Sequence, residues 1–229
     1  MGRVPNVVVG VINALESIGV QEHFLVVGTH ALYAYESAAG VRITEEAMAT
    51  RDVDMLFDTR KHISFFTTMK KLDSSLIGVL RKVDPSFEVV EDQLYTARNQ
   101  DGFEVDIIRR AAKDADPHPL RMSDEDDDFW AVQVSMGERL QSARRVDQMV
   151  VATSGEMALM RTIHPLDFAR IKLGLSRQLG RDPNKSGRDA LQSLIVTELV
   201  EEYLPHFLLA APEACLLYTS DAADERSSV

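Results

Sequence analysis

The chain has 229 residues, of which 45% are hydrophobic and 27% charged, enough for one large core or two small domains. Its formal net charge of −11 argues against a protein that grips long nucleic acid, because such binding needs a basic stripe. The single cysteine, Cys215, allows neither an internal disulfide framework nor a cysteine-based zinc site. That usage suits a reducing compartment, and no apolar run is long enough to span a bilayer, so we expect a cytoplasmic protein with no membrane partner.

The first part of the chain predicts helices that alternate with strands. It begins with apolar residues at helical spacing, which are Val8, Val11, Ile12, Leu15 and Ile18. A short strand at residues 23–28 then runs through Gly28 and Thr29 into a second helix. Residues 38–49 are polar and break the pattern, which predicts a loop or insertion that is either a lid or a rigid segment. Residues 52–57 form the next predicted strand.

Further along, the pattern changes from helices to strands. Residues 61–72 and 76–82 have helical spacing, and residues 87–90 and 94–98 are typical of strands around a turn. The clearest strand is GFEVDIIRR at residues 102–110, where apolar and polar side chains alternate. The preceding NQDG is typical of a hairpin turn.

These elements predict an α/β (α+β) domain at residues 1–110, built on a mixed sheet that is flanked by helices. Residues 111–128 contain two prolines and the acidic run DEDDD, which predicts an acidic linker or a solvated loop. Residues 129–213 predict a mainly helical domain, from helical spacing in SGEMALMRTI, PLDFARIKLGLSRQ and SGRDALQSLIVTELVEEYL. Residues 214–229 break this pattern and look like translated adapter sequence, so we interpret them as a non-native or disordered tail.

Two of the predicted strands carry residues that suit phosphate and metal chemistry. Glycine at a strand–helix junction, as at Gly28 and Thr29, lets a phosphate approach the backbone near free N–H groups, although it also simply turns the chain. Asp52 and Asp54 lie one residue apart on a strand, so both point to the same face. Such a pair either bridges a hard cation such as Mg²⁺ or forms a polar strand end.

A third carboxylate lies among apolar neighbours in the strand FEVDII. Asp106 is expected to be at least half-buried there, and a buried carboxylate needs a partner. That partner is either a metal ion or a basic side chain such as Arg109 or Arg110.

The order of these features resembles the nucleotidyltransferase superfamily with the DNA polymerase β-like fold. The order is a glycine and a small residue at a strand–helix junction, two aspartates one residue apart, and an aspartate on a later strand. The matching residues are Gly28, Thr29, Asp52, Asp54 and Asp106. The resemblance implies that residues 1–110 are a nucleotidyltransferase-like catalytic domain and that the rest is a helical C-terminal part.

A second resemblance covers part of the predicted helical region. PLDFARIKLGLSR followed by KSGRDALQ is similar to the lysine-bearing helices of the abortive-infection type nucleotidyltransferases. The comparison implies that Lys172 clamps a triphosphate. It also aligns Arg188 and Asp189 with an Arg-Asp pair that follows this lysine.

The resemblance implies transfer of a nucleoside monophosphate from an NTP to a hydroxyl acceptor, which is a small molecule, a protein or a tRNA end. Asp52 and Asp54 would hold two Mg²⁺ ions, and Asp106 would bind one of them and help deprotonate the acceptor. The backbone at Gly28 and Thr29 would cradle the terminal phosphates. The alternative is a catalytically silent nucleotide-binding or toxin–antitoxin component of the same fold. A phosphohydrolase with Asp52 as nucleophile is disfavoured, because a strand and helix precede the aspartate pair.

Overall fold

The computed structural model describes residues 2–113 and 116–209, so the predicted tail at residues 214–229 lies outside the described residues. In that part of the chain, helices pack on a mixed β-sheet. The helices are α1 Asn6–Ser17, α2 Leu32–Ala39, α3 Glu45–Met48, α4 His62–Lys71, α5 Leu76–Val83, α6 Gly137–Ser142, α7 Pro165–Ser176, α8 Pro183–Tyr203 and α9 His206–Leu209. The strands are β1 Phe24–Val27, β2 Asp52–Phe57, β3 Glu88–Val90, β4 Gln93–Arg98, β5 Glu104–Arg109, β6 Leu120–Arg121, β7 Trp130–Gln133, β8 Arg145–Val151 and β9 Met157–Ile163.

The main sheet has the strand order β1-β2-β5-β4-β3. The pairings of β1 with β2, of β5 with β4 and of β4 with β3 are antiparallel, whereas β2 and β5 run parallel. Strand β7 pairs in parallel with the end of β5 and antiparallel with β6. The parallel β2–β5 pair therefore lies inside the sheet, with a neighbouring strand on either side.

The elements predicted before residue 110 are confirmed within a few residues. Helix α1 buries its apolar stripe, and the burial pattern of β2 alternates at its first residues, as a strand with one polar face requires. The predicted hairpin joins β4 to β5. Its turn is closed by the Gly102 N–H, which donates to the Asn99 carbonyl oxygen at 3.0 Å, and Gly102 has a φ of +75°.

The segment SGEMALMRTI is a strand, so the prediction of a helix there was wrong. Strands β8 and β9 form an antiparallel hairpin, with a turn in which Gly155 has a φ of +92°. Along β9 the buried residues alternate, at Ala158, Met160 and Thr162, and this period of two packs the hairpin against β1 and α1. Tertiary packing thus selected the strand over a helical spacing that the sequence also contains. The division of the chain into domains stays a prediction.

The acidic run is not solvated throughout. Within the predicted linker, β6 forms, and Asp128 at the end of the run is only 1% exposed. The Asp128 carboxylate accepts hydrogen bonds from the backbone N–H groups of Leu76 and Ile77, both at 2.8 Å. It therefore satisfies free donors in the first turn of α5 and complements the helix dipole there.

The insertion at residues 38–49 is packed against the body of the protein. Ala47 and Met48 of α3 are buried. Gln192 of α8 donates to the Ala47 carbonyl oxygen at 2.7 Å, and Arg188 donates to that of Ala49 at 2.8 Å. These contacts favour a rigid insertion over a mobile lid.

None of the helices in the described ranges combines the length and apolar character that crossing a membrane requires.

Candidate active site

The central parallel strand pair brings the three predicted aspartates together. Asp54 on β2 is the register partner of Asp106 on β5, and Asp52 lies on the same face of β2 two residues earlier. One carboxylate oxygen from each residue lies within 4.8 Å of the others, and all three residues are half-buried. Together the three residues could hold a metal ion, for which they offer hard oxygen ligands.

Two threonine hydroxyls orient the outer members of this carboxylate cluster. Thr50 donates a hydrogen bond to Asp52, and Thr96 donates to Oδ1 of Asp106 at 2.6 Å. Burial, together with the charges of Asp52 and Asp106, raises the pKa of Asp54 to about 7. Burial also raises the pKa of Asp106, although the hydrogen bond from Thr96 acts against it. The cluster thus concentrates negative charge that a bound cation would stabilise.

Gly28 allows the end of β1 to pass directly beside Asp54. It has a φ of +64°, which glycine adopts without strain. A Cβ atom at this position would lie 2.2 Å from Oδ2 of Asp54, which is a severe overlap. Glycine is therefore required both by the backbone conformation and by the close approach to the carboxylate.

Thr29 follows in a short 3₁₀ turn, Gly28–Ala31, that leads into α2. It is 8% exposed, and its Oγ1 accepts a hydrogen bond from Nε2 of Gln192 at 3.1 Å. The same nitrogen binds the insertion at Ala47, so Thr29 helps to join α8 to the sheet. Its role in phosphate binding stays a prediction.

Lys172 lies opposite the carboxylates and is ion-paired. Its Nζ donates to Oδ1 of Asp189 at 2.9 Å. The other carboxylate oxygen, Oδ2, accepts from Nε and Nη2 of Arg181 at 2.6 and 2.5 Å. Asp189 is 2% exposed, so both cations compensate a buried charge.

Arg181 is a residue of this site that sequence reasoning missed, as are Thr50 and Thr96. It lies in the loop between α7 and α8, where no periodic pattern marks a side chain for a particular face. Arg188, aligned with the Arg-Asp pair, instead contacts the insertion at Ala49. Only the packing of α7 against α8 brings Arg181 to Asp189.

The carboxylate and the cations face one cavity of about 340 Å³. Gly28 and Asp54 line it from the sheet, and Lys172 and Arg181 line it from the helical side. Apolar side chains, including Phe168, complete the wall. A cavity of mostly apolar lining with a few convergent charged groups is typical of a small-ligand site.

Comparison with known proteins assigns the chain to a family. The family model described as nucleotidyltransferase matches residues 6–215, and the chain belongs to this nucleotidyltransferase family. The chain is thus a transferase of mixed α/β fold. No curated protein matches its sequence. Among solved structures, the antibiotic-resistance factor ANT(2'')-Ia is similar at 13% identity, over 90% of this chain and 94% of that chain, with a TM-score of 0.37.

Proposed function

We propose that this protein transfers a nucleoside monophosphate from an NTP to a hydroxyl group of an acceptor, in a reaction that depends on divalent metal ions. The observation that carries the proposal is the cluster of Asp52, Asp54 and Asp106, with one oxygen of each within 4.8 Å. Phosphoryl and nucleotidyl transfer develop negative charge on oxygens, so catalysis needs positioning and nearby cations more than covalent chemistry. A cluster of hard oxygen ligands supplies the means to hold those cations.

The resemblance to the nucleotidyltransferase superfamily suggests a role for each aspartate. Asp52 and Asp54 would hold Mg²⁺, which when bound would stabilise charge on the attacking and leaving oxygens. Asp106 would also bind metal, and it accepts the proton of the acceptor hydroxyl. The hydroxyl oxygen forms a bond to the α-phosphorus, the bond from that phosphorus to the bridging oxygen breaks, and pyrophosphate leaves with the electron pair.

The remaining site residues contact the phosphate tail. The backbone at Gly28 and Thr29 cradles the terminal phosphates, because a glycine at a strand–helix junction lets a phosphate approach free N–H groups. Lys172 provides a positive charge from the opposite wall of the same cavity. The acceptor is a small molecule, a protein or a tRNA end.

The test is Mg²⁺-dependent binding and turnover of labelled ATP, GTP, CTP and UTP by the wild type and by Asp54→Asn. We expect label transfer or pyrophosphate release with at least one NTP, abolished by the substitution and by EDTA. Glu104→Gln removes another carboxylate of β5 outside the cluster and serves as the matched control.

The other outcomes separate the alternatives. Metal-dependent binding without turnover of any NTP, even with extracts as a source of acceptor, would favour a silent nucleotide-binding protein. A wild type that binds no NTP in the presence of Mg²⁺ would overturn the proposal.

A further inference from the structure

Two cations share a single buried carboxylate on the helical side of the cavity. Lys172 binds one oxygen of Asp189 and Arg181 binds the other. One negative charge cannot balance both cations, so this group of three residues has positive charge in excess. That excess lies in the same cavity as Asp54 and Gly28.

Arg181 has donors left after it binds Asp189. Only Nε and Nη2 contact the carboxylate, and no other side-chain acceptor for Arg181 occurs within residues 2–113 and 116–209. The side chain is 25% exposed, compared with 11% for that of Lys172. A guanidinium can therefore hold Asp189 with one edge and present Nη1 to an anion in the cavity.

The shared carboxylate also lowers the free-energy cost of moving the Lys172 ammonium away from Asp189. An ammonium that turns from Asp189 toward a phosphate would normally leave a buried, unpaired carboxylate, which is strongly destabilising. Here Arg181 stays bound to the other oxygen of Asp189. Arg181 thus keeps Asp189 compensated while Lys172 changes partner.

We propose that Arg181 is a second phosphate-binding cation, which contacts the polyphosphate tail of the NTP and the leaving pyrophosphate while it remains bound to Asp189. The proposal rests on the proposed function and adds a residue to its substrate site. Planar, bidentate donors suit phosphate oxygens, and the contact is charge-assisted.

The test uses inorganic tripolyphosphate in excess MgCl₂, because every NTP carries the same tail and the base need not be known. Isothermal titration calorimetry gives the dissociation constant for the wild type and for Arg181→Gln. We expect about tenfold weaker binding by the variant, from the loss of a charge-assisted hydrogen bond. Arg177→Gln removes an exposed arginine just after α7, outside the cavity, and should bind as the wild type does.

A second comparison separates direct contact from a merely structural role. If Arg181 acted only by holding Asp189, its removal would have no effect in an Asp189→Asn background. If Arg181 contacts phosphate, Arg181→Gln weakens tripolyphosphate binding in that background as well. Arg181→Lys serves if Arg181→Gln does not fold, because an ammonium lacks the fork that binds two anions at once; we expect it to bind tripolyphosphate less tightly than the wild type.

These measurements distinguish failure of the Arg181 proposal from failure of the proposed function. A wild type that binds neither NTP nor tripolyphosphate with Mg²⁺ would overturn both proposals. A wild type that binds both, with Arg181→Gln or Arg181→Lys equally tight, would overturn this one alone. If Arg181→Gln weakens tripolyphosphate binding only when Asp189 is present, Arg181 has a structural role. That result would also overturn this proposal.

Discussion

The two walls of the candidate active site are built in different ways. On the sheet wall, three carboxylates of like charge are held by the pairing of β2 with β5. On the helical wall, Lys172, Asp189 and Arg181 carry opposite charges and are held by their own ion pairs. The first arrangement is fixed by backbone hydrogen bonds, and the second depends on contacts between side chains.

This difference indicates which wall should act in the chemical step and which in NTP binding. Groups on a rigid backbone are suited to hold metal and reacting atoms at fixed distances, where small displacements are costly. Ion pairs that can rearrange are suited to bind a charged tail and release it. We therefore expect changes on the sheet wall to lower kcat and changes on the helical wall to raise KM for the NTP.

The largest effect is expected for Asp106→Asn. It removes the proposed metal ligand and proton acceptor, so kcat should fall by about 10³-fold, within the usual range for a general base. Glu104→Gln is the control, because Glu104 lies on the same strand and pairs with Arg98 instead. Steady-state kinetics with the preferred NTP measures both. If Asp106→Asn lowered only the affinity for the NTP and left kcat unchanged, the two walls would not differ in the step that they affect.

Gly28→Ala should have the next largest effect. The new Cβ would overlap Oδ2 of Asp54 and displace it, so we expect about a 10²-fold loss of kcat. Gly40→Ala is the matched control, because Gly40 has a similar φ of +67° with nothing within 4 Å of the added atom. Thermal unfolding should show a comparable loss of stability from backbone strain in both variants. Equal activity of the two would show that the contact with Asp54 is unimportant.

On the helical wall, Lys172→Gln should raise KM for the NTP by about tenfold, through loss of a contact to a phosphate. Its effect on kcat should be smaller than that of Gly28→Ala, since Asp54 and Asp106 stay in place. Arg188→Gln removes a nearby cation that contacts the insertion at Ala49, and its KM should stay close to that of the wild type. Initial rates over a range of NTP concentration give kcat and KM for both variants. A lower kcat of Lys172→Gln at unchanged KM would contradict the expectation that the helical wall acts in NTP binding.

The smallest effect concerns stability and an ion pair outside the cavity. Asp58 follows β2 and accepts from Arg60 and from Nη2 of Arg145 at 2.5 Å, which joins the β8–β9 hairpin to the sheet. Burial would raise the pKa of Asp58, but the hydrogen bonds from Arg60 and Arg145 outweigh it and lower the pKa to about 2 from 3.8. This shift corresponds to about 2 kcal/mol of folding stability.

The direction of the pH dependence follows from that lowered pKa. The contribution of Asp58 is fully present above its unfolded pKa near 3.8 and is lost as the pH falls toward 2. Urea unfolding should therefore show Asp58→Asn less stable by about 2 kcal/mol at pH 7, with a difference that shrinks below pH 4. Asp92→Asn, at an exposed position in the β3–β4 turn, is the control. A constant difference across this pH range would exclude the ion pairs as its cause.

The sheet wall was predictable because strands impose a period of two. Asp52 and Asp54 had to share a face, and the alternation in FEVDII placed Asp106 on one face of a later strand. Their meeting required one further fact, which is that β2 and β5 are parallel neighbours with Asp54 opposite Asp106. The family resemblance implied that adjacency, whereas the strand pattern alone did not.

The helical wall and the hairpin were less predictable. Lys172 and Asp189 came from the resemblance, and Arg181 in the intervening loop had no pattern to mark it. In SGEMALMRTI the apolar residues fit a helix as well as a strand, and the choice depended on a partner, β8, and on a surface formed by β1 and α1. Asp128 looked like part of a solvated run because its target, the first turn of α5, is distant in the sequence.

By itself, the sequence determined the local elements before residue 110, the faces of their aspartates and the glycine at the junction of β1 with the following helix, because these depend on short-range periodicity and backbone sterics. The tertiary structure decided which strands adjoin, which cation reaches Asp189 and how the insertion packs. These depend on contacts between residues far apart in the chain, such as Gln192 with Thr29, which local spacing does not encode. Carboxylate chemistry was therefore visible in the sequence, and the place of Arg181 in the cationic wall became visible only once the chain was folded.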